Sequence, residues 1–380
     1  KIPAGGGRRG RPARPRRMSF FYGRYLRMKR LLAFFLAAAL LLSLAPCALG
    51  DDTPNPIPVL EKNEIDPTPK GMHHYMLICM DSWKTDLNNL SFTDGLVLVT
   101  VDEIAQRVML TSFIRDMLVY RPHVPDDHGQ NAADYTPGEI QQTRTFGRIN
   151  YIAQKIGNAK KGGQRIYTPQ QAFQTLIDTI NDHFNLQIEK YIVVNFQQVQ
   201  NIIDAIGGVD IEITSREASY LKNYSLSPAS TSPALSGGGV YHFSGHAAVI
   251  YMRIRKVANI EGETQDVGRT RRARIVLTNI ADSLKNITYD EASRLLDVVV
   301  SNTVFTNMSA NDMLDALDLA MRLKGTRLEG IRMPVDGTYS PCAIAGMATQ
   351  QIDYLANREA LWDFLLDSFV VVDEEGADEW

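Results

Sequence analysis

An α/β fold in a single domain is the class this sequence predicts, and three observations predict it. Short apolar runs of strand length alternate with longer segments whose apolar residues recur at helical spacing. Helical segments open on capping residues, as Thr168-Pro169-Gln170-Gln171 does. Between residues 72 and 370 no internal repeat and no second linker interrupts the alternation, so one packed unit is the simplest account.

The first fifty residues stand apart. They carry basic residues and no acid, and an apolar run from Leu31 to Leu42 continues through Leu44 and Ala45 to Ala48. A basic stretch before an apolar one is the pattern of an export signal. Met28-Lys29-Arg30 directly before Leu31 has the proportions of its start, with the preceding residues as upstream sequence. Ala48 and Gly50 suit cleavage after Gly50. Retention as a membrane anchor is the alternative, because Leu31 to Leu49 nears the ~20 residues that span a bilayer. Either outcome places the domain outside the membrane, secreted or anchored to it. Residues 51–71, rich in Pro and Asp, read as a linker, and residues 371–380 as a disordered acidic tail.

Without its first fifty residues the chain retains 29 basic residues against 43 acids, which disfavours nucleic acid as a partner. Beyond Cys47 only Cys79 and Cys342 remain, too few for a disulfide framework, and Cys79 within an apolar run reads as a buried thiol.

Within the domain, Tyr75–Met80, Leu96–Val101 and Arg107–Phe113 read as core strands, the last two as a hairpin around Asp102-Glu103. A helix follows Thr168, with Phe173, Leu176, Ile177, Ile180 and Phe184 as its buried stripe. Tyr191–Val194 is a strand, Val199–Ile206 a helix stopped by Gly207-Gly208, and Val209–Ile213 a further strand. The Ser-, Gly- and Pro-rich segment Thr214–Gly239 reads as a long surface excursion. Helices are expected over Ser244–Arg253, Thr270–Lys285, Tyr289–Val300, Ser309–Arg322 and Asn357–Phe369, with a late strand at Leu328–Met333.

Two constellations carry candidate chemistry. Arg253, Arg255, Lys256, Arg269, Arg271, Arg272 and Arg274 crowd into a short span of an otherwise acidic chain. Arg269 and Arg272 share a face of the expected helix, and Asp266 just before it serves as a cap or orients a guanidinium. Guanidiniums at a helix start match phosphate oxygens in charge and geometry, whereas a solvated helix with incidental arginines is the competing reading. The second group is acidic: Asp81 ends the first strand, Asp94 opens the second, and Arg115-Asp116 ends the third. If those strands are neighbours these side chains converge at one sheet edge, where two carboxylates beside phosphates suit Mg²⁺. There is no H-E-x-x-H or paired-cysteine spacing to hold zinc, no P-loop and no G-x-S-x-G elbow.

Taken in order, these pieces resemble the LytR-CpsA-Psr family of cell-envelope proteins. The correspondence rests on Asp81, Thr93-Asp94, Ser112-Phe-Ile-Arg-Asp116, Arg148-Ile-Asn150, Ile203-Asp-Ala-Ile-Gly-Gly-Val-Asp210, Ser244-Gly245, Tyr251-Met-Arg-Ile-Arg255 and Asp266-Val-Gly-Arg269-Thr-Arg-Arg272. The resemblance implies a three-layer α/β/α sandwich on a mixed central sheet, with an apolar groove for a polyprenyl chain and arginines at its mouth. It implies a Mg²⁺-dependent phosphotransferase that moves a glycopolymer phosphate from a polyprenyl-pyrophosphate carrier to peptidoglycan at the membrane surface. Asp81 and Asp94 would then hold the metal and Arg115 would carry catalysis. Arg253, Arg255, Arg269 and Arg272 would contact phosphate, with Asp116 and Asp266 orienting the arginines or the metal. The sequence departs from the family where Trp83 and Phe92 stand for common arginines, Ala273 for a glutamine, Cys79 for a glycine and Ile114 for a proline. These changes thin the phosphate grip, so a non-catalytic lipid-phosphate or glycopolymer binding protein and a lipid pyrophosphatase are the alternatives.

Overall fold

The structure, a computed structural model, describes residues 68–120, 146–226, 234–344 and 347–366. The expected export segment, most of the linker and the acidic tail lie outside the described residues. Among the described residues no helix is long and apolar enough to cross a membrane.

The chain begins with β1 (Met72–Met80), β2 (Thr93–Asp102) and β3 (Arg107–Phe113). The expected hairpin joins β2 to β3, with Asp102 opposite Arg107. Its turn is fixed by the Asp102 carboxylate, which accepts from the backbone N–H groups of Ile104 and Ala105 at 2.9 and 2.8 Å. A small ribbon of β4 (Leu118–Tyr120) and β5 (Phe146–Arg148) leads into α1 (Ile152–Asn158). The minor hairpin β6 (Lys160–Lys161) and β7 (Gln164–Arg165) precedes α2 (Pro169–Phe184). Thr168 caps α2 through a full capping box with Gln171, and the predicted apolar stripe is buried.

β8 (Lys190–Asn195) ends directly in α3 (Phe196–Ala205), capped by Asn195. The helix stops where Gly207 takes φ +88°, a conformation that costs glycine nothing. β9 (Val209–Ile213), α4 (Ser215–Leu221), β10 (Gly239–Phe243) and α5 (Gly245–Met252) follow. α4 corrects the expected excursion from Thr214: a Thr214/Glu217 capping box starts a helix there, and Gly239 opens a strand paired to β9. α6 (Gln265–Leu284) begins earlier than expected, so Asp266 lies in its first turn instead of before it. Then come α7 (Tyr289–Ser301), β11 (Phe305–Thr306), α8 (Ala310–Arg322), β12 (Leu328–Met333), the hairpin β13 (Tyr339–Ile344) and β14 (Met347–Ile352), and α9 (Tyr354–Leu366).

The central sheet is mixed, in the order β11-β8-β1-β2-β3-β12, with β1/β8 and β3/β12 parallel and the other pairs antiparallel. Alternation along β1 divides its faces: Met76, Ile78 and Met80 are buried against α1, α2 and α9. Tyr75, Leu77 and Cys79 point to the opposite face, covered by α6, α7 and α8, where packing is looser. Helices therefore flank both faces, the three-layer α/β/α sandwich that was expected. A second core gathers Ile211, Leu221, Phe243, Tyr251 and Val276 around the β9–β10 ribbon.

Candidate functional site

Three strand ends and one helix start deliver the charged side chains to one edge of the sheet. Because β2 runs antiparallel to β1 and β3, the end of β1 at Asp81, the start of β2 at Asp94 and the end of β3 at Arg115 lie together. The backbone confirms the approach, since Asp81 N–H donates to the carbonyl of Phe92 at 2.8 Å. The first turn of α6 adds Asp266 and Arg269, and the segment after α5 adds Arg253 and Arg255.

Four of these residues close a ring of alternating charge. Asp94 Oδ2 accepts from Arg115 Nη1 at 2.5 Å and from Arg269 Nη1 at 2.9 Å. Asp266 Oδ1 faces the same two arginines from the other side, 3.0 Å from Arg115 Nε and 3.2 Å from Arg269 Nη2. Its Oδ2 accepts from Arg255 Nη2 at 2.9 Å. Arg253 stands further out, 3.8 Å from Asp81 and over the ring of Phe196 at 4.5 Å. Asp94 is 5 % exposed, Arg115 18 % and Arg269 14 %, whereas Arg253 and Arg255 are about 40 % exposed at the rim.

Burial works against the ionised form of Asp94, but Arg269, Arg115 and the Asn150 amide outweigh it and hold the carboxyl below its ordinary range. Burial likewise disfavours the Arg115 cation, and Asp94 and Asp266 overcome it and raise the guanidinium. Asp116 behaves oppositely: burial, then the nearby charge of Asp266, push its carboxyl up. Its backbone carbonyl accepts from Gln350 N–H at 2.9 Å, which anchors the end of β3 to β14.

Eight of the nine expected site residues are thus brought to this edge, and Arg272 is not. Arg272 is completely buried, its Nε on Glu217 at 2.7 Å and its Nη atoms on the carbonyls of Ile254 and Val257 at 2.9 and 2.8 Å. It ties α6 to α4 and the chain after α5, and its enclosed guanidinium is closed to a phosphate. Sequence reasoning gave no role to Asn150, which donates to Asp94 Oδ1 at 2.8 Å; its signal was its place in the Arg148-Ile-Asn150 piece. Glu217 was missed as well, although its capping-box spacing from Thr214 was readable.

The replaced family positions border the site. Trp83 packs on Phe196 at 5.5 Å and His246 at 5.6 Å, and Phe92 stacks on Tyr151 at 4.5 Å. Cys79 pairs across the sheet with Gly95, where a Cβ would meet the Cys79 Cβ at 2.8 Å, so the side chain here needs a glycine opposite. The half-buried Cys79 thiol lines a small pocket and is pushed up to about 12 by burial.

That pocket, of about 120 Å³, opens between Asp94, Arg253 and Arg269 and is walled by apolar residues including Leu77, Val97 and Phe196, with Ala273 beside them. Leu77 also lines a larger cavity of about 490 Å³, between the sheet and α6, α7 and α8, whose walls are almost wholly apolar. A charged mouth therefore stands before apolar space on the loosely packed face.

Known proteins resemble this chain in sequence and in fold. A Polyisoprenyl-teichoic acid--peptidoglycan teichoic acid transferase TagU of Oceanobacillus iheyensis is 30% identical over 278 residues, covering 70% of this chain and 68% of that protein. The Biofilm regulatory protein A of Streptococcus mutans is 22% identical over 256 residues, 64% of this chain and 53% of that protein, so the chain spans about half the length of such relatives. The crystal structure of B. subtilis TagV superposes with a TM-score of 0.53 at 18% identity, covering 78% of this chain and 98% of TagV, a likeness of fold. The model of the LytR_cpsA_psr family matches residues 61–361. The chain belongs to the LytR-CpsA-Psr family.

Proposed function

We propose that this protein is a phosphotransferase of the cell envelope, which moves a glycopolymer phosphate from a polyprenyl-pyrophosphate carrier to peptidoglycan. The observation that carries this reading is the ring Arg115–Asp94–Arg269–Asp266 standing directly before apolar space. A pyrophosphate needs several guanidiniums held in place, and a prenyl chain needs an uncharged cavity beside them; few other ligands need both. The activity in the TagU name is the one this arrangement suits.

Four guanidiniums, of Arg115, Arg253, Arg255 and Arg269, face three carboxylates, of Asp81, Asp94 and Asp266. An arriving pyrophosphate replaces carboxylate oxygens as their acceptor, and the buried carboxylates keep the arginines extended and aimed beforehand. The hydroxyl of the acceptor glycan attacks the phosphorus nearest the donor glycan. The P–O–P bridge breaks, and polyprenyl phosphate leaves, taking up the proton that the hydroxyl gives up. Such a transfer requires positioning and charge neutralisation more than a protein nucleophile.

No cluster of three His, Cys, Asp or Glu among the described residues forms a complete metal cage. Asp81 and Asp94 on adjoining strand ends nevertheless fit Mg²⁺, which takes one or two protein carboxylates and fills its shell with phosphate oxygens and water. Bound there, Mg²⁺ would neutralise charge on the pyrophosphate. Asp116, with its raised carboxyl beside Arg115, is assigned to orienting the ring. An extracytoplasmic location, at the membrane surface that holds the lipid carrier, follows from the substrate.

The test supplies Mg²⁺, a polyprenyl-pyrophosphate-linked saccharide and a peptidoglycan oligomer, and reads products by mass spectrometry. A phosphodiester adduct that is lost in Arg115→Ala and Asp94→Ala is the expected result. Polyprenyl phosphate released without an adduct would replace the reading with a lipid pyrophosphatase, and bound lipid without any product would replace it with a binding protein.

A further inference from the structure

Two arginines of the crowded span, Arg271 and Arg274, have no part in the ring. α6 sorts its residues by face: Arg269, Thr270, Ala273 and Leu277 line the small pocket, while Arg272 and Val276 enter the second core. Arg271 and Arg274, three residues apart, share the remaining side, which lies over the edge strand β12. A Cβ on Gly330 would meet Arg274 Cδ at 3.5 Å and Nε at 3.8 Å, so the arginine runs along this strand where it carries no side chain. Arg332, two residues further and on the same face of β12, adds a third guanidinium.

Arg271 and Arg332 are paired, and Arg274 is not. Arg271 Nε and Nη2 donate to Glu263 at 2.6 and 2.9 Å, and Arg332 donates to the Pro334 carbonyl at 2.7 Å and to Asp336. Glu263, a carboxylate that acts on Arg274, also accepts from Asn259 at 2.9 Å. Arg274 makes no ion pair among the described residues, and its enclosed Nη1 has no hydrogen-bond partner there. Burial, then the like charge of Arg271, push its guanidinium down to about 10, so it is still a cation at neutral pH. Water at Nη1 would satisfy the donor and leave the charge uncompensated, and a buried cation without a counter-charge is costly. The Asp336 side chain is 86 % exposed and that of Arg271 35 %, so the cluster is open to solvent on their side.

We infer that Arg274, Arg271 and Arg332 form a second oxyanion site, on the β12 side of α6, which takes a singly charged phosphodiester or carboxylate. Three guanidiniums against the carboxylates of Glu263 and Asp336 leave one positive charge, which a single such group neutralises. A phosphodiester belongs to a polymer linked through phosphates, a carboxylate to a peptide or an acidic sugar. The site stands apart from the ring and does not depend on the proposed function.

Thermal denaturation of the full chain at neutral pH tests this, in sodium chloride and in sodium dimethyl phosphate or sodium acetate of equal ionic strength. In chloride, Arg274→Met melts at or above wild type, because it removes an uncompensated buried charge. At about 100 mM the fitting anion raises the wild-type midpoint by about 2–4 °C more than that of Arg274→Met, and Arg274→Lys keeps part of the difference. Protection by dimethyl phosphate alone assigns the site to a phosphodiester, and protection by acetate as well assigns it to carboxylates. The same difference appears when both chains also carry Arg269→Ala, which separates this site from the ring. Equal response of wild type and Arg274→Met to both anions overturns the inference, as does a difference that vanishes with Arg269→Ala or an Arg274→Met midpoint well below wild type in chloride. None of these outcomes involves transfer, so the proposed function stands or falls separately.

Discussion

Arg269 and Arg272 sit three residues apart on α6, and their surroundings give them opposite work. Arg269 meets Asp94 and Asp266 at the sheet edge, partly open to solvent and within reach of an incoming anion. Arg272 meets Glu217 in a fully enclosed pair, with two backbone carbonyls accepting from its Nη atoms and the ring of Tyr251 beneath it. The charge and the residue type are the same. What separates them is whether the partner can be exchanged: a ligand can displace a carboxylate at a solvent-facing edge, but nothing can enter the second core. An arginine cluster in a sequence thus mixes ligand-binding and architectural members, and burial of the partner sorts them.

The largest expected effect falls on the architectural member. Arg272→Ala leaves the buried Glu217 carboxyl without its cationic partner and should lower stability by about 3–5 kcal/mol in denaturant titration. Replacing both partners, as in Arg272→Met with Glu217→Leu, should recover most of that loss. A single variant with wild-type stability would break the comparison from the structural side.

Arg115→Ala should lower adduct formation by about 10²–10³-fold, the usual cost of removing one aimed charge from a transition state, while the denaturation midpoint moves little. A midpoint that fell as far as for Arg272→Ala would show the ring to be structural as well. Gly95→Ala should cost about 1–3 kcal/mol by overpacking against Cys79, and Cys79→Gly in the same chain should relieve it. The smallest effect concerns pH. Asp94 is held below its ordinary range when folded, so its contribution to stability is present above the unfolded value near 3.8 and fades as pH falls through the folded one. Asp116 is raised, so its contribution is complete below the unfolded value and is lost as pH climbs through the folded one. Asp116→Asn should therefore narrow the advantage that mildly acidic buffer gives to thermal stability, and Asp94→Asn should remove the loss at low pH that belongs to the ring.

Much of this was readable beforehand because it is local. The alternation along β1, the apolar run of β2 and the turn at Asp102 determine the hairpin and its neighbours without reference to distant residues. That placed Asp81, Asp94 and Arg115 at one edge, since consecutive antiparallel strands return to the same end. Arg272 was misjudged because its partner lies on α4, within a Ser- and Gly-rich stretch whose composition concealed a capping box. Helical spacing predicts which side chains share a face but not what that face meets. The apolar space behind the site was equally hidden, because Tyr75, Leu77 and Cys79 look in sequence like ordinary core residues. Only packing shows that their side of the sheet is loosely filled.

The most direct measurement compares transfer by Arg269→Ala with transfer by the Arg272→Met/Glu217→Leu pair, each confirmed as folded by its denaturation midpoint. The account predicts about 10²-fold less adduct from Arg269→Ala and near wild-type transfer from the buried-pair variant. Full activity in Arg269→Ala, or a folded double variant that has lost transfer to the same degree, would contradict it.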